Sequence, residues 1–104
     1  MGEFVGYVGP AEIHDAVIDR VDRDADRLVV VLGLPNSPGR GLQLEFSEPA
    51  EVEEEHSLGM TLYALAELEG EGTRRRFSFV NWEENDSAQL DLLAVDVHWT
   101  EIAI

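Results

Sequence analysis

Short stretches in which apolar and polar residues alternate run along the chain and predict a protein built mainly of β-strands. In GLQLEFS, Leu42, Leu44 and Phe46 alternate with polar side chains, the pattern of a strand with one buried face. The loop-forming sequence LPNSPGRG precedes this strand and joins it to the previous one. The acidic stretch 51–55 has Val52 as its only apolar residue, which is typical of an edge strand or a loop.

The segment 13–22 fits two structures. Its apolar residues recur at helical spacing after Pro10, a residue favoured in a first helical turn. A β-hairpin also fits, because the following LVVVL is rich in β-branched residues and the acidic RDAD suits a turn. We favour the hairpin, with arms at 16–22 and 27–33, and helix remains the alternative.

The segment MTLYALAELE, residues 60–69, also fits both helix and strand. Its residues are strong helix formers, and Gly70 is suited to cap a helix. Apolar residues at every second position from Met60 to Leu68 instead predict one buried face of a strand.

Cross-strand pairing with the segment RRRFSFVNW favours the strand for residues 60–69. In a hairpin around GEGT, Glu69 and Glu67 lie opposite Arg74 and Arg76. The last apolar segment, AQLDLLAVDVHW, returns alongside and brings Asp96 opposite the middle arginine. Each arginine of the triplet thereby has an acidic neighbour, so we expect the triplet to pair across strands rather than to form an anion site.

These segments predict a mainly β fold, with an α+β arrangement as the alternative. We expect a single antiparallel meander of about six to seven strands, closed into a sandwich or a small barrel, with at most one short helix. The whole chain, residues 1–104, is expected to form one globular domain.

The charge changes the picture of possible partners. Seven arginines, no lysine and 22 acids give a formal net charge of −15, which repels a polyphosphate backbone and argues against nucleic-acid binding. An acidic surface instead favours a basic protein partner. The chain has no cysteine, and it shows neither a signal peptide nor an apolar run long enough for a membrane span, so we expect a cytoplasmic protein without a membrane partner.

Two places in the sequence combine residue types that could bind a ligand or a partner. His14 beside Asp15 is raw material for base catalysis or metal binding. The other two histidines lie in unrelated segments without metal-ligand spacing, so no metal site and no cofactor is predicted. The second place is the end of a predicted strand, where an aromatic ring adjoins polar groups: Asn81, Trp82, Glu83 and Glu84.

The combination of FVGYVGPAEIHDA, LQLEF, GMTLYALAELE and RRRFSFVNWEE resembles small bacterial β-rich proteins of uncharacterised families. More distantly, the early His-Asp-Ala and the acidic, β-rich composition are similar to immunity proteins of bacterial toxin systems. That resemblance implies binding and neutralisation of a toxin, but it assigns no role to a particular residue.

The sequence shows no established catalytic signature, and its catalytic residues stay unknown. We therefore expect a non-enzymatic binding or interaction domain with an acidic surface. One alternative is a small-molecule or metal-dependent enzyme that uses His14 and Asp15 or the loop from Asn81 to Glu84. A further alternative is a structural subunit that associates with itself.

Overall fold

The structure, a computed structural model, describes residues 3–83 and 85–104. It contains nine β-strands and one short 3₁₀ turn, Ala11–Ile13, and no α-helix occurs in these residues. The strands are β1 (Phe4–Tyr7), β2 (Val17–Arg23), β3 (Arg27–Gly33), β4 (Arg40–Ser47), β5 (Ala50–Glu55), β6 (Leu62–Glu71), β7 (Arg74–Asn81), β8 (Gln89–Ala94) and β9 (Asp96–Ala103).

The strands form two antiparallel sheets. One sheet has five strands in the order β1-β6-β7-β8-β5, and the other has four in the order β2-β3-β4-β9. Within the described residues neither sheet closes into a barrel. The mainly β class is confirmed, but the single meander is wrong, because the chain crosses between the sheets and divides into a meander in each.

The strand count of six to seven is also wrong, for two reasons. The four-residue strand FVGY (β1) is too short and too rich in glycine and exposed positions to show a clear alternation. The predicted last strand is two strands, because Val95 separates β8 in one sheet from β9 in the other. The Val95 N–H donates to the carbonyl of Ser47, 2.9 Å away, at this crossing.

The two sheets pack face to face around a core of aliphatic and aromatic side chains. Phe46 of β4 contacts Phe77 and Phe79 of β7 edge to face, with ring centroids 5.2 and 5.8 Å apart. All three rings are buried. Burial of a side chain of this size contributes about 1.5–3 kcal/mol, so the alternating strands predicted from sequence supply the main stabilising term.

Both segments that fitted helix or strand are strands in the structure. Residues 17–23 and 27–33 form the β2–β3 hairpin, with the turn between them closed by the Asp24 carboxylate, which accepts from the N–H groups of Asp26 and Arg27. Residues 62–71 form β6. The acidic β5 lies at an edge of its sheet, as its composition predicts.

The register of the β6–β7 hairpin differs from the prediction by one residue along the middle of the strands and by two residues beside the turn. Glu67 lies opposite Phe77 rather than Arg76, and Glu71 rather than Glu69 lies opposite Arg74. Irregularities between Leu62 and Ala64 and between Leu68 and Glu71 account for the shift, because each bulge adds an unpaired residue and reverses which face the following side chains occupy. The period-two pattern cannot reveal such insertions.

Each of the three arginines has a partner within the protein, but only the pairing of Arg75 with Asp96 is the predicted one. Arg75 lies opposite Ala94, but its side chain reaches both Glu67 and Asp96, and Arg76 pairs with Glu71. Arg74 donates to the backbone carbonyl of Glu48. The triplet thus binds to the protein itself and does not converge into an anion site.

None of the helical structure in the described residues is long and apolar enough to cross a membrane.

Candidate functional site: an aromatic corner beside a pocket

One corner of the sandwich begins at the tight 3₁₀ turn after β1. Gly9 has a φ of 87°, and a Cβ on it would lie 2.4 Å from Cδ1 of Ile13. Ile13 is buried, so it packs directly over the bare glycine backbone and anchors the turn to the core. The turn then presents His14, the residue that ends it, at the surface.

Backbone hydrogen bonds fix the direction of the chain after His14. Asp15 has a φ of 74°, a conformation that aspartate tolerates better than most residues. Its N–H donates to the carbonyl of Leu62 at 2.9 Å, and the Leu62 N–H donates to the carbonyl of Ala16 at 2.8 Å. Val17 and Thr61 form an isolated bridge. The corner is therefore tied to the start of β6.

Tyr63 lies at the irregularity near the start of β6 and is exposed. Its carbonyl oxygen is 3.0 Å from Nδ1 of His14. Because a carbonyl can only accept, the contact is a hydrogen bond when Nδ1 carries the proton. In the neutral ring this leaves Nε2 as an acceptor, 3.8 Å from a carboxylate oxygen of Asp15. The bulge thus positions both the Tyr63 ring and the His14 ring.

Trp82 follows the end of β7, and its N–H donates to the carbonyl of Thr61 at 3.0 Å. The preceding Asn81 stabilises the loop: its side chain accepts from the Glu83 N–H and donates to the Ala88 carbonyl. The Ala88 N–H, together with the Asn81 side chain, lowers the pKa of Asp86. These bonds connect Asn81, the residue before Trp82, with Glu83, Asp86 and Ala88 of the described part of the loop.

The rings of His14, Tyr63 and Trp82 meet in mutual contact, and we call these three residues the aromatic corner. The ring of His14 lies edge-on to both others, with centroids 5.3 Å from Tyr63 and 5.1 Å from Trp82, while Tyr63 and Trp82 stack at 5.5 Å. Tyr63 and Trp82 remain 44% and 47% exposed. The corner is therefore a pre-ordered aromatic surface that is open to solvent.

An open pocket of about 280 Å³ adjoins the aromatic corner. Its walls are mainly apolar, and its described lining includes no aspartate or glutamate. The lining residues are Tyr7, Val8, Gly9, Pro10, Ala11, Ile13, His14, Tyr63, Ala64 and Leu65. Its volume is below the roughly 300–1,000 Å³ of typical small-molecule sites, and it suits one large side chain.

The structure brings together three of the residues singled out from sequence. His14 and Asp15 are neighbours in sequence and Trp82 comes from a distant segment, and the three meet at this corner. Asn81 has a structural role in the loop, and Glu83 is exposed beside Trp82. Glu84 lies outside the described residues.

Tyr63 was missed by sequence reasoning. The sequence did place Tyr63 on the polar face of a predicted strand, between two apolar residues. An aromatic ring on that face is exposed to solvent, and this was the feature that could have identified it. What the sequence does not show is that the turn after β1 lies against the bulge of β6.

The described residues contain no cluster of three or more histidine, cysteine, aspartate or glutamate side chains able to hold a metal ion. Comparison of the chain with protein-family models, curated proteins and solved structures found no match.

Proposed function

We propose that this protein is a binding domain that engages a basic protein partner through the aromatic corner. The observation that carries the proposal is the convergence of His14, Tyr63 and Trp82 from three chain segments into one exposed, ordered surface. Tryptophan and tyrosine are the residue types that most often dominate binding energy at protein interfaces. Their fixed positions reduce the entropy lost on binding.

The charge of the chain supports a basic partner. A net charge of −15 on 104 residues accelerates the encounter with a positively charged surface and disfavours acidic competitors. The resemblance to toxin immunity proteins suggests one class of partner, a basic toxin domain that the acidic protein neutralises.

Capture from a lysate of the native cells tests the proposal. The wild-type protein is immobilised at low salt, and bound proteins are eluted by raising the salt concentration, which screens the charges. We expect a basic protein to be retained by the wild type and lost with Trp82→Ala. The matched control is Trp99→Ala, because Trp99 is similarly exposed, at 42%, but lies on β9 in the other sheet.

Equal retention by both tryptophan variants would contradict a role for the aromatic corner. Capture that does not respond to salt would contradict the role of charge. Because both tryptophans are half exposed, neither substitution is expected to unfold the protein, and thermal melting of each variant checks this.

A second candidate function is small-molecule chemistry at the pocket. The observation in its favour is that His14 lines the pocket and that its Nδ1 bond to the Tyr63 carbonyl leaves Nε2 as the proton acceptor that a general base needs. A thermal-shift screen with metabolites and divalent metals tests this candidate. A stabilising ligand whose effect disappears in His14→Ala would support it, and a flat screen would count against it.

A further inference from the structure

The four edges of the two sheets differ in their charge. The edge strand β5 has the sequence AEVEEE, and the edges of the other sheet, β2 and β9, are VIDRVDR and DVHWTEIA. Charged side chains of this kind discourage pairing with another chain. The remaining edge, β1, has the sequence FVGY and contains no charge.

The side chains of β1 are also exposed. Phe4, Val5 and Tyr7 are 56%, 61% and 66% accessible, and the rings of Phe4 and Tyr7 contact each other at 5.0 Å. A Cβ added to Gly6 would meet no atom within 4 Å. The strand thus combines exposed apolar side chains with open space above Gly6.

The backbone of β1 has hydrogen-bonding groups available on the side away from β6. The N–H of Val8 donates to the carbonyl of Leu65 in β6. Because successive residues of a strand direct their N–H and C=O groups to opposite sides, Tyr7 directs its own groups away from β6. An edge of this kind is a template for an added strand.

The charges near β1 favour a basic occupant. Between Glu3 and Asp19 the chain contains acidic residues and no arginine. On β6, Glu69 adds a further acidic residue, whereas Glu67 and Glu71 are paired with Arg75 and Arg76. The arginines of β7 lie one strand further away and are engaged by the protein itself.

We propose that β1 accepts an extended, basic segment of the partner protein as an added strand of the five-stranded sheet. Tyr7 both belongs to this edge and lines the pocket beside the aromatic corner, so a strand added here passes the pocket and can place a side chain in it. This inference rests on the proposed function and specifies the form in which the basic partner binds.

A peptide titration monitored by NMR tests strand addition. The probe is a short peptide that alternates arginine and valine, with an alternating glutamate and valine peptide as the charge control. We expect the basic peptide to shift the backbone amides of β1 and to protect the Tyr7 amide from hydrogen exchange. N-methylation of alternate peptide bonds should weaken binding by about tenfold, because it removes edge hydrogen bonds but keeps the side chains.

Two substitutions at Val5 form a matched pair, since the side chain is exposed and lies outside the aromatic corner. Val5→Arg should weaken binding of the basic peptide, whereas Val5→Glu should retain or strengthen it. Equal effects of the two variants would overturn the charge argument.

The remaining outcomes separate this inference from the proposed function. If methylated and unmethylated basic peptides bind equally and shift His14 and Trp82 but not β1, strand addition is overturned and binding at the aromatic corner stands. If the basic peptide does not bind at millimolar concentration, strand addition is overturned, while lysate capture with Trp82→Ala still decides the proposed function. A dimer in light scattering that Val5→Arg dissociates would make a second copy the occupant, which also overturns the proposal.

Discussion

Arg75 donates two parallel hydrogen bonds to Glu67, from Nε to Oε2 at 3.0 Å and from Nη2 to Oε1 at 2.7 Å. Its Nη1 donates to Asp96 of β9 at 2.9 Å, and its guanidinium lies 5.1 Å from the centre of the Phe77 ring. A single side chain therefore covers one end of the core and connects strands of both sheets.

This pairing distinguishes the observed register from the register predicted by sequence. Glu67→Arg should destabilise the fold by about 1–2 kcal/mol, because it places like charges together at a partly buried position. Arg75→Glu should restore part of the loss, limited by repulsion from Asp96, and Arg76→Glu should not. Urea unfolding of the single and double variants measures these differences. Rescue by Arg76→Glu would instead support the register expected from sequence.

Glu67 should also make stability depend on pH. Hydrogen bonding from Arg75 lowers the pKa of Glu67 below the ordinary value of about 4.3. Glu67 therefore binds a proton more readily in the unfolded chain than in the folded one. Its contribution to the unfolding free energy is complete at a pH above the ordinary pKa of glutamate. It is lost as the pH falls through the depressed pKa of the folded state.

Unfolding free energies measured from neutral pH down to about pH 3 check this dependence. The unfolding free energy of Glu67→Gln should fall less steeply than that of the wild type as the pH is lowered. Arg75→Gln should show the same weaker pH dependence, because the Glu67 carboxylate has lost its partner. Identical slopes in all three proteins would contradict the prediction. Comparing variants removes the contribution of the other carboxylates.

The aromatic corner predicts an uncommon tautomer of His14. Because the Tyr63 carbonyl accepts from Nδ1, the neutral ring should carry its hydrogen on Nδ1 and leave Nε2 free. Imidazole ¹⁵N shifts at mildly alkaline pH report the tautomer directly, and exposed His98 provides an internal comparison. Asp15→Asn should leave the tautomer unchanged. A hydrogen on Nε2 of His14 would show that the Tyr63 bond does not form in solution.

Gly70 is required by the second bulge of the β6–β7 hairpin. A Cβ at this position would lie 2.0 Å from the carbonyl oxygen of Arg74 and 2.8 Å from Cα of Arg75. Gly70→Ala should therefore cost about 1–3 kcal/mol, since backbone atoms must move. Gly72 in the adjacent turn has open space around it and a φ of 61°, so Gly72→Asn should cost less than about 1 kcal/mol.

Thermal or urea unfolding compares the two glycine variants in the same hairpin. An equal loss of stability at the two positions would mean that the chain relaxes freely around Gly70. It would then contradict the close approach of β6 and β7 at this bulge.

Alternation predicted the strands that have one buried face, because the core removes apolar side chains from water at every second position. Leu42, Leu44 and Phe46 of β4 are the clearest case. The same rule failed after Tyr63, where Leu65 rather than Ala64 enters the core, and near Gly70, because a bulge changes the face without changing the composition. It also failed at Val95, because a change of sheet depends on long-range pairing that a local pattern does not contain.

The sequence predicted separate residues of the candidate site but not their contact with one another. The residue types at His14 and Trp82 were informative, because a histidine beside a carboxylate and an aromatic ring at the end of a strand are each able to bind a ligand or a partner. Their contact depends on the bonds that tie residues 15–18 to residues 59–62. Those are backbone hydrogen bonds, which do not depend on the side chains, so the side-chain pattern does not predict them.

The pairing of β9 with β4 has a kinetic consequence. Arg40 and Glu101, which form an ion pair across these strands, are 61 residues apart in sequence. Forming such a contact requires closure of a long loop, and the entropy cost of closure comes before any stabilisation. Proteins that depend on such β-sheet contacts fold in about milliseconds to seconds. Until β9 arrives, β4 has a free edge next to its buried leucines. In a crowded cell the protein is therefore most prone to aggregation between hydrophobic collapse and the docking of β9.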